Sequence, residues 1–244
     1  MQILKLIIYL LFTIIAGLIA LPLLIILLPI RVFFGPLVVQ IYSILSLYIF
    51  KVNIELYGEK NIPDKKTERI ILIPNHVTFL DIFILSAIFR ANFVSKIEIK
   101  YYPIIGQAAW LIGIIFLERS VPEKRHKLIQ VLANHSRDRV IVNFPQGTTA
   151  KISEHIPFKR GIFKTVEINN NIILLPVTIN YKEESQIAWK RKQSLLHNCI
   201  TICRQKKIHA RLKIHEPLTI KDYKNRTIPE ICNATQEKVL KGLW

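Results

Sequence analysis

A histidine and an aspartate stand five positions apart in Pro74-Asn75-His76-Val77-Thr78-Phe79-Leu80-Asp81. On a regular helix, at roughly 100° per residue, that spacing sets the two side chains about 140° apart, so they cannot pair there. They meet if His76 lies in a loop and Asp81 in the first turn of the helix that follows. The carboxylate then orients one ring nitrogen and leaves the other to take a proton. An imidazole with an ordinary pKa near 6.5 suits general-base work at neutral pH. The plainer alternative is a loop histidine followed by an aspartate that only caps a helix. A second stretch, Phe144-Pro145-Gln146-Gly147-Thr148-Thr149, has a glycine that allows close backbone approach, and exposed amides there can hold an anion or a developing oxyanion. Two basic groups, Arg119 and the run Lys159-Arg160-Gly161-Ile-Phe-Lys164, are phosphate-binding candidates, although a solvated charged face explains the lysines equally well. Cys199, Cys203 and Cys232 are odd in number and lack zinc-type spacing, so neither a disulfide framework nor a metal site follows, and a reducing compartment is consistent. No Gly-x-Ser-x-Gly elbow is present.

These groups need strands to carry them. Residues 69–74, 140–144 and 172–179 are short, apolar, β-branched runs that read as buried strands. Helix signals lie between them, over 81–89 and 124–136, the second behind a Ser120-Val-Pro-Glu123 capping box. A further strand is expected over 210–215. A capped helix starting at Thr227-Ile-Pro-Glu230 closes the chain, with Gly242 as its stop. Alternating strands and helices predict an α/β domain with a mixed, largely parallel sheet flanked by helices, its functional loops leaving the carboxyl ends of the strands.

From Leu6 to Ile30 no charge appears, about 25 residues where about 20 cross a bilayer. This is too long for the apolar core of a signal peptide, and it runs straight into more apolar sequence. Residues 32–50 are nearly as apolar, but they carry Gln40, Ser43 and Ser46 and are broken by Gly35-Pro36. The expected organisation is a membrane-embedded helical pair over 1–56 and an α/β domain over 57–244, entered through a polar link at 57–68. The formal net charge is +17, and only Lys5 and Arg31 are charged within residues 1–50, so the remainder carries +15. Such an excess attracts polyanions, and beside a lipid segment it selects an anionic leaflet over nucleic acid. Membrane lipids are therefore the expected partners, with the domain on the cytoplasmic side. The lysine- and isoleucine-rich composition fits a bacterial genome, which makes that membrane the inner, cytoplasmic one.

Four motifs in order resemble those of the lysophosphatidate/glycerol-phosphate acyltransferase family: Asn75-His76 with Asp81, Gly113-Ile-Ile-Phe-Leu-Glu-Arg119, Phe144-Pro-Gln-Gly-Thr148 and Leu174-Leu-Pro-Val177. Lys96, Pro103 and Gly106 resemble the segment joining the first two, and Phe158-Lys-Arg-Gly161 the segment after the third. The resemblance covers residues 69–181. It implies direct attack of an acceptor hydroxyl on an acyl-CoA or acyl carrier protein thioester, with His76 as base, Asp81 steadying it, and no cofactor beyond the acyl donor. It also implies substrate contacts from Asn75, Lys96, Arg119, Gln146, Gly147, Thr148 and Lys159, and a helical pair sunk in one leaflet. Lysophosphatidate is the first acceptor expected. The third motif departs from Phe-Pro-Glu-Gly-Thr-Arg-Ser, with Gln146 for the glutamate, Thr149 for the arginine and Ala150 for the serine. The missing arginine removes one charge-assisted phosphate contact, worth about 1.5–3 kcal/mol. Another lyso-lipid acceptor, or a catalytically idle membrane lipid-binding relative, remains an alternative.

Overall fold

In a computed structural model, the structure describes residues 2–26, 28–64, 68–102, 105–118, 121–135, 137, 139–190 and 193–241. The chain opens with two apolar helices, α1 (Gln2–Ile26) and α2 (Arg31–Phe50), and turns into β1 (Val52–Tyr57). Next come β2 (Arg69–Pro74), α3 (Leu80–Phe89), β3 (Ala91–Lys96), α4 (Ile105–Leu111), β4 (Ile115–Leu117), α5 (Pro122–Ala133) and β5 (Val140–Val142). The remainder is α6 (Thr165–Ile168), β6 (Ile172–Tyr181), α7 (Glu184–Ile187), α8 (Leu195–Cys203), β7 (Ile208–Ile214), α9 (Ile220–Tyr223) and α10 (Ile228–Lys241).

The strands form one sheet in the order β1-β7-β6-β2-β5-β3-β4. Only β6 and β7 run antiparallel; the other neighbours are parallel. The fold is thus α/β with a mixed, mostly parallel sheet, as the alternation of elements predicts. Period-two alternation sends Ile70, Leu72, Leu175, Val177 and Tyr181 to one core and Ile71, Ile73, Ile141 and Leu174 to the other. The first core is closed by α3 and α8, with α2 laid on α3 and α1 laid on α2; the second lies under α5, α6 and α10.

Differences from the expected elements have local causes. β1 was expected to lie within the lipid segment, but Val52-Asn-Ile-Glu-Leu-Tyr57 alternates apolar and polar residues and pairs along β7 from Val52–Ile208 to Tyr57–Lys213. Lys51, at φ +57°, makes the turn between α2 and that strand. β3, β4 and α8 were not anticipated. α5 begins at Pro122, in the first turn where a missing N–H costs nothing, whereas Ser120 lies outside the described residues, as do Pro103 and Gly242. The cap at Thr227 forms as expected, with Glu230 Oε2 accepting from the Thr227 amide at 2.7 Å. Residues Ile3–Ile26 make one helix long and apolar enough to cross a membrane. α2 instead buries Ser43, Ser46, Leu47 and Phe50 within the fold.

Candidate active site

β2 and β6 are parallel and in register from Arg69–Ile172 to Pro74–Val177, so the loop after Pro74 emerges beside the end of β6. Asn75 fixes it there. Its Nδ2 donates to Ile179 O at 2.8 Å and its Oδ1 accepts from Ile179 N at 2.7 Å. At 3% exposure, this side chain replaces a rung of the ladder where the β2 backbone turns away.

The next residue is His76, and α3 starts four positions later. His76 Nδ1 lies 2.7 Å from Asp81 Oδ2. A carboxylate only accepts, so Nδ1 carries the proton and Nε2 is the basic nitrogen. The same Oδ2 accepts the amides of Val77 at 2.6 Å and Thr78 at 3.0 Å. The capping alternative is not realised, since Phe79 occupies the cap position of α3 without a side-chain bond; the Asp81 carboxylate instead closes the loop ahead of the helix and holds the imidazole. Asp81 is fully buried, whereas the His76 side chain is 14% exposed. The imidazole stacks on Phe144, with ring centres 3.8 Å apart and planes at 18°.

The third motif follows β5, next to β2 in the sheet. Gly147 sits at φ +72°, a left-handed conformation that favours glycine. Gln146 Oε1 accepts the His76 amide at 2.8 Å, and Ala150 N donates to His76 O at 2.9 Å, so the two loops are laced together through the backbone of the histidine. Thr149 Oγ1 donates to Trp189 O at 3.1 Å, and Trp189 N donates to Val77 O at 2.9 Å. Thr148 is half-buried beside them. Lys159, exposed, is brought to this loop by its amide on Pro145 O at 2.9 Å. Lys96 is exposed at the end of β3, opposite Leu117 of β4. Arg119, two residues beyond Leu117, lies outside the described residues.

The structure thus gathers His76, Asp81, Asn75, Gln146 and Gly147 at one edge of the sheet, with the Lys159 backbone alongside. Two expected roles change. The resemblance implies substrate contacts from Asn75 and Gln146, but both are buried, and Asn75 and the Gln146 oxygen are engaged with backbone. Three residues carried no signal in a motif. Tyr181, at the end of β6, donates its phenol to Asp81 Oδ1 at 2.6 Å. Burial first, and then the Asp81 carboxylate, push that phenol well above its ordinary range, so it stays a donor. Asn198 accepts from Thr78 Oγ1 at 2.9 Å, and Trp189 anchors the segment between α7 and α8. The three cysteines are free and buried, and burial pushes the Cys232 thiol up. Among the described residues no three His, Cys, Asp or Glu side chains cluster as metal ligands.

Comparison with known proteins gives the same neighbourhood. The family model described as Acyltransferase matches residues 53–180. A chloroplastic 1-acyl-sn-glycerol-3-phosphate acyltransferase of Arabidopsis thaliana is 30% identical over 154 residues, covering 62% of this chain and 42% of that protein. A lyso-ornithine lipid O-acyltransferase of Rhodobacter capsulatus is 29% identical over 184 residues, covering 70% and 65%. The chain therefore spans less than two thirds of the length of either relative. The crystal structure of the 1-acyl-sn-glycerophosphate acyltransferase PlsC from Thermotoga maritima superposes with a TM-score of 0.67, at 20% identity, over 98% of this chain and 95% of that one. That likeness establishes the shared fold.

Proposed function

We propose, from the premise that this chain belongs to the acyltransferase family, that it moves a fatty acyl group from a thioester to the free hydroxyl of a membrane lyso-lipid, lysophosphatidate first among acceptors. The observation that carries this is the 2.7 Å bond from His76 to a fully buried Asp81, which leaves Nε2 of a partly exposed ring as the proton acceptor. Nε2 takes the proton of the acceptor hydroxyl as its oxygen attacks the thioester carbonyl carbon. The tetrahedral oxyanion collapses and expels the thiolate, which recovers the proton from the imidazolium. Asp81 stabilises that cation through its bond to Nδ1. An acyl-CoA or acyl carrier protein serves as the donor.

We place α1 in one leaflet of the inner membrane, with the domain facing the cytoplasm. Lys5, near the start of α1, donates to Phe50 O and to Gln205 O, both at 2.9 Å, and α1 packs on α2, α4 and α8. A helix tied along its own domain lies beside it, apolar face outward, where a lyso-lipid reaches His76 without leaving the bilayer.

One observation favours a second acceptor class. Where the family motif has an arginine, Thr149 stands with its hydroxyl on Trp189 O. That position offers no cation to a phosphate monoester, and a lyso-ornithine lipid O-acyltransferase is among the relatives. The test is an acceptor panel in detergent with one acyl-CoA, reading thiol release from wild type and His76→Ala. Transfer to lysophosphatidate by wild type and none by His76→Ala supports the first reading. Transfer only to phosphate-free lyso-lipids supports the second, and equal rates for the two proteins remove His76 as base.

A further inference from the structure

Asp81 is unevenly bonded. Oδ2 accepts three donors, His76 Nδ1–H and the amides of Val77 and Thr78, whereas among the described residues the Tyr181 phenol is the one donor on Oδ1. Both side chains are buried, so water does not replace a lost partner. Turning about the Cβ–Cγ bond would carry Oδ2 off the imidazole; the three bonds on Oδ2 resist that turn from one side of the carboxylate and the Tyr181 bond on Oδ1 from the other.

We propose that Tyr181 is a positioning residue for acyl transfer, its phenol O–H pinning Asp81 Oδ1 and through it the orientation of the His76 ring. The proposal rests on the reading of His76 as general base. Tyr181 stands on β6 with its side chain in the same core as Val177 and Ile179, and the β2–β6 register that fixes Asn75 on Ile179 also sets this reach of 100 residues in sequence.

The phenol does a second thing. A hydrogen bond to an anion withdraws part of its charge, so each donor on Asp81 weakens its pull on the Nδ1 proton. Removing the Tyr181 donor leaves a carboxylate that binds the imidazolium more tightly, and the base stays protonated to higher pH. Few other ionisable groups compete for this effect. Residues 140–150 contain none, Asp81 is the one on α3 and Tyr181 the one on β6. From the α7–α8 segment, Glu184 accepts the Ile152 amide and Glu183 binds His209, while Lys190 and His197 are exposed; Cys199 and Cys203 are buried in α8.

The experiment compares wild type with Tyr181→Phe and with 3-fluorotyrosine placed at 181 alone, reading kcat, KM and the pH profile of kcat/KM on whichever lyso-lipid the acceptor panel identifies. Phenylalanine keeps the ring, and kcat is expected to fall about tenfold with KM unchanged. The acidic limb of the profile is expected to move to higher pH. Fluorotyrosine keeps the packing and donates more strongly, so its limb is expected to move to lower pH. A merely structural role lowers activity equally at every pH and leaves both limbs in place, which overturns the proposal. If Tyr181→Phe does not fold, a fluorotyrosine limb coincident with wild type overturns it just the same. Adding Tyr181→Phe to Asp81→Asn should cost nothing further; additive losses count against the coupling. A His76→Ala protein as active as wild type removes the underlying reading, whereas an inactive His76→Ala with unmoved limbs removes only the role of Tyr181.

Discussion

Gln146 stands where the family motif has a glutamate, yet the structure asks of that position only an acceptor oxygen for the His76 amide, 2.8 Å away. Leucine at 146 matches the volume and removes the acceptor, stranding that N–H where Gln146 now covers it at 5% exposure. An unmet donor of this kind costs about 1–3 kcal/mol. Borne wholly by the transition state, that is a factor of about 5 to 150; some of it is lost from the folded ground state instead, so Gln146→Leu should lower kcat roughly tenfold. The melting temperature in detergent should drop by roughly 2–6 °C. KM should hold, because the Gln146 oxygen faces backbone and not substrate. Gln146→Glu keeps an acceptor in place and should stay within about threefold of wild type. The assay is continuous thiol release on the best acceptor, with melting followed by circular dichroism. A fully active leucine variant beside an inactive glutamate variant would refute the clamp and return Gln146 to the substrate-binding role that its place in the motif implies.

Two further outcomes follow from the geometry. His215 donates through Nε2 to the Thr178 hydroxyl, which itself donates to Val239 O, and burial, then Lys213 and Lys238, hold the imidazole down at about 4. Unfolded, it titrates near 6.5, so between roughly pH 6.5 and 4 the unfolded chain takes up a proton that the folded one refuses. The contribution of this group, complete above about pH 6.5, is lost as the pH falls through that window; after solvent screening it amounts to about 1–2 kcal/mol. His215→Gln keeps an N–H for Thr178 and should flatten the decline in melting temperature between pH 7 and 5; an unchanged decline rules the group out. Thr149→Arg restores the cation of the family motif at the cost of the bond to Trp189 O. It should raise kcat/KM for lysophosphatidate about tenfold relative to a phosphate-free lyso-lipid, and an unchanged ratio would show that position 149 does not face the acceptor head group.

The His76–Asp81 pair was legible in sequence because a pairing at that spacing requires a loop histidine against a first-turn aspartate, the proline-ended run 69–74 placed that loop at a strand end, and the ordered motifs weighed against a mere helix cap. The sheet was legible for a similar reason: its buried strands are short and β-branched. β1 was hidden because Val52–Tyr57 follows the apolar helices without Gly or Pro as punctuation, and the turn is made by a lysine in a left-handed conformation. The resemblance implies substrate contacts from Asn75 and Gln146, and residue type alone does not reveal which way an amide faces. Strand ends leave backbone groups unpaired, and these two side chains satisfy them. Tyr181, Trp189 and Asn198 were out of reach altogether, since their partners lie across the sheet or on the far side of a segment that contains no motif.

The two charge-changing departures of the third motif, at Gln146 and Thr149, also make physical sense together. Glutamine for glutamate takes a negative charge from the loop, and threonine for arginine takes a positive one, so the loop keeps its net charge while losing its internal contrast. Neither change disturbs the imidazole, because Gln146 still supplies the acceptor for the His76 amide and Thr149 ties the loop to Trp189, whose own amide returns to Val77. The hydrogen-bonding shape of the motif around His76 is therefore preserved, and its pair of opposite charges is not. We propose that an acceptor at such a site is selected less by the third motif than by cations elsewhere along the sheet. Of these, Lys96 stands at the end of β3, and Arg119 follows two residues after β4, the strand paired with it. If acceptor preference shifts with Lys96→Ala and stays fixed with Thr149→Val, which adds no charge, head-group recognition lies across the sheet from the loop that follows β2.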